Sequence, residues 1–305
     1  MKKIFFALLI ACSCSLSAQT VFHLWEKGKM PNSKGLTIKD SIFNHRAYQI
    51  ANPSIEVFTT SKEENKHFAV LIIPGGGYSH ESFEVSGTQI AKFFNTLGGT
   101  AFVLKYRLPQ SPDVIHSALA PLQDGQRAIQ IMRSLAKKYD YDSDKVGVFG
   151  TSAGGHLAAS LGVYTEDFMQ INDSLGAYSF RPDFMILLSP VTTLSDPFTH
   201  KGSRNELLGK NPSQEMIDKF SPNLHVTEKT PPTLLMQAND DPAVPSFSSA
   251  MMYIALREKH VNASLHIFPH GKHSIALTNN PISTRLWIPI VDAWLQELFG
   301  ETEAK

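Results

Sequence analysis

Cysteine is nearly absent. Two occur in 305 residues, Cys12 and Cys14, both close to the N-terminus. That excludes a disulfide scaffold and any cysteine-based zinc site. A surplus of either charge is also missing. Lys plus Arg and Asp plus Glu both number 28, so no basic excess points to nucleic acid or to an anionic membrane. Charged residues, at 18%, are too few, and apolar ones, at 42%, too many, for a disordered chain. There is no internal repeat, no low-complexity tract and no long run of charge. No Gly-Lys-Ser/Thr phosphate loop and no G-x-G-x-x-G fingerprint are present. What remains is a chain long enough for one large domain or two small ones.

The first eighteen residues read as an address rather than as structure. Lys2 and Lys3 precede an apolar run, Ile4 to Ala11, and a small, mildly polar stretch ends at Ala18. This predicts a secretory signal peptide over 1–18, cleaved after Ala18, and a periplasmic or secreted product. The run is too short to span a bilayer, which takes about 20 residues. Leu9-Ile10-Ala11-Cys12 also resembles a bacterial lipobox, so lipid anchoring at Cys12 is the minor alternative and the one membrane attachment foreseen. Cleavage after Ala18 removes both thiols and leaves a net charge of minus two, which excludes a cysteine nucleophile.

Residues 19–54 are polar, with turn signals at Gly28, Pro31-Asn32 and Gly35, and read as an N-terminal arm on the surface. From residue 55 to 305 the pattern is that of one α/β domain. Strands are predicted at 68–73, 100–105, 146–149, 184–188, 233–237 and 264–268. Helices are predicted at 85–97, 121–138, 153–163, 246–259 and 282–298. The apolar runs are nearly continuous, as in strands covered on both faces. Alternation of strand and helix predicts a mostly parallel central sheet with helices on both faces. Chemistry then collects at the carboxyl ends of the strands.

After the 146–149 strand comes Gly150-Thr151-Ser152-Ala153-Gly154, a G-x-S-x-G turn opening a helix. Glycines at 150 and 154 leave room for a strained backbone that projects Ser152 as a nucleophile. A serine needs a base, and the base an orienting acid, here in the order Ser, acid, His. The acid is expected in Ala238–Pro245. Asp241 heads a D-x-x-V-P segment and is preferred; Asp240 is the turn-forming alternative and Asp196 an outside candidate. The base is expected in Pro269–Ser274. His273 is preferred because Gly271 lets the loop turn before it, with His270 the alternative. His266, His270 and His273 have ligand-like spacing, but Pro269 and Gly271 break any helix that would align them, so no metal site is expected. His156 reads as a supporting or core residue. Pro74-Gly75-Gly76-Gly77-Tyr78, at the end of the 68–73 strand, predicts an oxyanion hole made by the N–H groups of Gly76, Gly77 and Ala153. Tyr78 and Phe83 are candidates to stack on a sugar ring, with ordinary core packing the stronger reading.

These segments, together with Leu104–Leu108, Arg181-Pro-Asp183, Leu188-Ser-Pro190 and Gly271-Lys-His273, resemble the α/β-hydrolase superfamily. Within it they resemble bacterial secreted esterases related to acetyl xylan esterases and hormone-sensitive-lipase-type esterases. The resemblance runs over most of residues 55–300. It implies an α/β-hydrolase catalytic domain, Ser152, Asp241 and His273 as the triad, esters of small acyl groups on polysaccharide or small molecules as substrates, and no cofactor. Where the lipase motif begins with His this chain has Pro74, which fits the sugar-esterase branch better. Rival readings are a feruloyl esterase, a prolyl-oligopeptidase-type serine peptidase, and a non-catalytic carbohydrate-binding protein on a hydrolase scaffold.

Overall fold

Every predicted strand forms. In the computed structural model, which describes residues 20–274, 276–277 and 285–300, six adjacent parallel strands make up most of the sheet. They are β5 (Phe68–Ile73), β6 (Gly99–Lys105), β7 (Val146–Thr151), β8 (Met185–Leu188), β9 (Thr233–Ala238) and β10 (Ala263–Phe268). The full order is β1-β4-β6-β5-β7-β8-β9-β10, with β1 (Val21–His23) and β4 (Ser54–Phe58) antiparallel at one edge. Sequence alone did not signal these two. They are short, and β1 is largely exposed, so neither carries a long apolar run. Part of the segment read as a surface arm therefore joins the sheet. The same segment forms a hairpin of β2 (Ser41–Phe43) and β3 (Arg46–Gln49), and Ala47 bridges to Glu81. The signal-peptide reading of 1–18, including Cys12 and Ala18, lies outside the described residues.

Alternation within β5 shows why the sheet is covered twice. Ala69, Leu71 and Ile73 face a core shared with α2 (Ala120–Tyr139), α3 (Ser152–Val163) and α6 (Phe247–Glu258). Phe68, Val70 and Ile72 face a second core shared with α1 (Gln89–Thr96) and α7 (Trp287–Phe299). All six side chains are buried, at about 1.5–3 kcal/mol for each large one relative to exposure. Two further helices, α4 (Lys201–Leu208) and α5 (Gln214–Lys219), follow β8. The predicted 85–97 helix is a π-helical turn, Glu84–Thr88, leading into α1. The start predicted for the last helix, 282–284, lies outside the described residues.

The arm is tied down by Arg107. Its guanidinium and backbone N–H donate to Asp124 on α2, and Nη1 donates to the Pro31 carbonyl at 2.6 Å. Trp25 Nε1 donates to the same Asp124 carboxylate at 2.8 Å. Buried charge is tolerated here because it is paired and hydrogen-bonded throughout.

Candidate active site

Four loops leaving the carboxyl ends of β5, β7, β9 and β10 meet at one point above the sheet. Between β7 and α3 the backbone turns at Ser152, whose φ of 56° is left-handed. A non-glycine residue rarely adopts this, at a cost of order 1–3 kcal/mol. The turn is tight enough to demand its glycines. A Cβ on Gly150 would lie 2.4 Å from the Gly154 carbonyl oxygen, and one on Gly154 would lie 2.2 Å from that of Ile73. Ser152 thus stands at the N-terminus of α3, whose partial positive charge favours a developing anion.

The residues expected to partner Ser152 are brought to it. Ser152 Oγ lies 3.0 Å from His273 Nε2, and His273 Nδ1 lies 2.8 Å from Asp241 Oδ2. Because a carboxylate only accepts, Nδ1 carries the proton, and Nε2 is left to accept from the serine hydroxyl. Asp241 is buried, and its other oxygen accepts the N–H groups of Ala243 and Val244 at 2.9 and 3.0 Å. Those bonds come from the D-x-x-V-P turn itself and fix the carboxylate's orientation.

The alternatives occupy other roles. Asp240 accepts the N–H groups of Gly271 and Lys272 at 2.8 and 2.9 Å, so it holds the loop that carries His273. Those backbone donors keep its carboxyl below the usual range. His270 is largely exposed and sits 3.5 Å from Asp240. Asp196 pairs with Arg204 at 3.0 Å. His266 lies within β10, and among the described residues no three His, Cys, Asp or Glu side chains gather as metal ligands.

The glycine turn after β5 lies against the elbow. A Cβ on Gly75 would come 2.9 Å from Ser152 Cβ, and Gly75 N–H donates to Thr151 Oγ1 at 3.1 Å. Gly76, Gly77 and Tyr78 all have positive φ, of 143°, 65° and 63°. A Cβ on Gly76 would lie 2.0 Å from the His80 carbonyl oxygen, so only glycine fits there. Among the described residues no acceptor takes the N–H of Gly76 or Gly77. Ala153 N–H lies in the first turn of α3, where helices leave donors unpaired. The glycine turn and the first turn of α3 therefore hold three backbone donors that no acceptor takes among the described residues.

Tyr78 does not line the mouth. Its ring is buried and its hydroxyl donates to His156 Nδ1 at 2.8 Å. His156 Nε2–H in turn donates to the Phe220 carbonyl at 2.8 Å. Burial pushes His156 down to about 4, so it is the neutral link between the glycine turn and α3. Phe83 is half-buried with Lys105 Nζ 4.3 Å from its ring centre. Core packing, rather than sugar stacking, is what both aromatics do.

One residue beside the site carried no signal in the sequence. His200 caps α4, and a Cβ on Gly77 would lie 3.7 Å from His200 Cε1. Its pKa is lowered by burial first and by the charge of His273 second, with Asp241 opposing.

The BD-FAE family pattern matches residues 55–256. Endo-1,4-beta-xylanase B of Butyrivibrio fibrisolvens is 37% identical over 223 residues, covering 72% of this chain and 34% of that protein. The acetylxylan esterase of Xylanibacter ruminicola is 32% identical over 234 residues, covering 75% of this chain and 44% of that protein. The chain thus spans less than half the length of these two curated relatives. The crystal structure of an acetyl ester-xyloside bifunctional hydrolase from Caldicellulosiruptor lactoaceticus superposes with a TM-score of 0.77 at 32% identity, covering 92% of this chain and 96% of that one.

Proposed function

The chain belongs to the BD-FAE family and is an α/β-hydrolase of esterase type resembling acetyl xylan esterases; from that premise we propose that it is a secreted serine carboxylesterase removing acetyl groups from plant polysaccharide or its oligosaccharides. The observation that carries the reading is the relay itself: Asp241 Oδ2 to His273 Nδ1 at 2.8 Å, and His273 Nε2 to Ser152 Oγ at 3.0 Å. The names of the xylanolytic relatives support acetylated xylan as the substrate class. The basic, then apolar, N-terminus supports a site of action in the periplasm or outside the cell.

In this mechanism Ser152 Oγ attacks the acetyl carbonyl carbon as its proton passes to His273 Nε2. Asp241 holds the imidazole by Nδ1–H and stabilises the imidazolium. Negative charge on the former carbonyl oxygen is taken by the N–H groups of Gly76, Gly77 and Ala153, each such donor contributing roughly 10²–10³-fold in rate. The carbon–oxygen bond to the sugar then breaks, and the imidazolium returns its proton to the departing sugar oxygen. Water, deprotonated by the same imidazole, attacks the acetyl-serine, and acetate leaves as Ser152 is reprotonated.

Acetate release from acetylated xylan tests the reading, with methyl ferulate as the rival substrate and Ser152→Ala as control. Acetate release by the wild type that vanishes in the variant is expected. Activity retained by Ser152→Ala, or a strong preference for ferulate, would overturn it.

A further inference from the structure

Two phenyl rings and one imidazole that this mechanism leaves unused gather beside the same site. Phe198 and Phe247 stack with centroids 4.6 Å apart and planes 23° apart. Phe198 lies in the loop after β8, and Phe247 opens α6. Phe247 is 58% exposed and its ring packs against that of Phe198, so the pair presents an aromatic surface to solvent.

Their neighbours place the pair by the nucleophile. Ser248, next to Phe247, accepts the Thr192 N–H at 2.8 Å and donates to the Pro190 carbonyl at 3.1 Å. Between those two residues, Val191 N–H donates to the Ser152 carbonyl at 3.1 Å. Phe247 also follows the Asp241–Pro245 turn after one residue, Ser246. Two residues beyond Phe198 is His200, whose ring abuts Gly77 of the glycine turn. His200 Nδ1 accepts the Ser203 N–H at 3.2 Å and lies 2.8 Å from Ser203 Oγ. The proton therefore sits on Nε2, and among the described residues nothing accepts it.

We propose that Phe198, Phe247 and His200 form the subsite for the sugar on the alcohol side of the ester, the ring pair carrying the C–H face of a pyranose and His200 Nε2–H donating to one of its oxygens. This rests on the esterase reading above and names what recognises the alcohol. An acetyl group presents only a methyl beyond its carbonyl, so an aromatic shelf has nothing to hold on the acyl side. The sugar is the large part of such an ester, and it has both an apolar face and hydroxyl acceptors.

The test compares kcat/KM for an acetylated xylo-oligosaccharide with kcat/KM for ethyl acetate, which shares the acyl group and lacks the ring. The full chain is assayed as wild type, Phe247→Ala, Phe247→Leu, His200→Leu and His200→Gln, with methyl ferulate as a third substrate. The expected result is a fall of at least tenfold in the oligosaccharide-to-ethyl-acetate ratio for Phe247→Ala and His200→Leu, mainly through KM. Phe247→Leu keeps apolar bulk without a flat face and should fall similarly. His200→Gln keeps an N–H donor and should retain more of the ratio than His200→Leu. An unchanged ratio in Phe247→Ala and His200→Leu overturns the subsite, as does a loss confined to methyl ferulate, which would put the shelf on the acyl side. If the wild type cleaves ethyl acetate but no acetylated oligosaccharide, the substrate reading itself fails, and the subsite with it.

Discussion

His156 should make the protein's stability depend on pH in a defined window. Buried between Tyr78 and the Phe220 carbonyl, it is pushed down to about 4, against about 6.5 when exposed. Between those values the unfolded chain binds a proton that the folded chain refuses. Stability is therefore full above about pH 6.5 and declines as pH falls toward 4. At about pH 5 the loss relative to about pH 7.5 is about 2 kcal/mol from this one residue. Protonation also removes the acceptor for the Tyr78 hydroxyl, which anchors the turn carrying Gly76 and Gly77. His156→Gln keeps an amide N–H for Phe220 and an amide oxygen for Tyr78 but does not titrate. Urea unfolding of both proteins at the two pH values should show the variant losing about 2 kcal/mol less on acidification. Equal losses in the two proteins would refute the assignment of His156 as a neutral, buried link.

Other perturbations follow from the same contacts. Tyr78→Phe leaves His156 Nδ1 buried without a donor, so unfolding in urea should show a loss of about 1–3 kcal/mol, with kcat reduced more than KM is raised. Asp241→Asn should lower kcat by about 10⁴-fold, since it removes the charge that fixes the imidazole tautomer. Asp240→Ala, which frees two backbone donors of the His273 loop without touching the imidazole, should cost no more than about 10²-fold; steady-state kinetics separates the two. Gly154→Ala drives a Cβ toward the Ile73 carbonyl and should cost about 3 kcal/mol or more in denaturant unfolding.

How far the sequence speaks for itself varies by element. The inner strands were legible because burial on both faces requires unbroken apolar runs such as Phe68–Ile73. β1 and β4 were not, since β1 is a three-residue, largely exposed edge strand and β4, though buried, has five residues interrupted by Glu56, too short a pattern to stand out. The G-x-S-x-G turn and the glycine run were legible because close backbone approach excludes side chains, and exclusion of side chains is visible as glycine. Asp241 and His273 were legible as loop residues after predicted strands. The division of labour between Asp240 and Asp241 was not settled by sequence, because adjacent aspartates differ only in which backbone N–H groups each one meets. Tyr78 was weighed between sugar stacking and core packing, with core the stronger reading, and it lies inside; what the sequence could not show is its partner, His156, 78 residues away. His200 and the Phe198–Phe247 pair gave no signal, because their juxtaposition depends on how the loop after β8 folds back over the site.

The proposed mechanism requires Ser152, whose hydroxyl lies 3.0 Å from His273 Nε2, to be the nucleophile. Covalent labelling reads this most directly. The protein is treated with an organophosphonate that reacts with activated serines, and the adduct is mapped by peptide mass spectrometry alongside residual esterase activity. One adduct per chain is expected, on Ser152, formed in step with loss of activity and abolished in His273→Ala. An adduct on a different residue, or full labelling of Ser152 with activity intact, would contradict it.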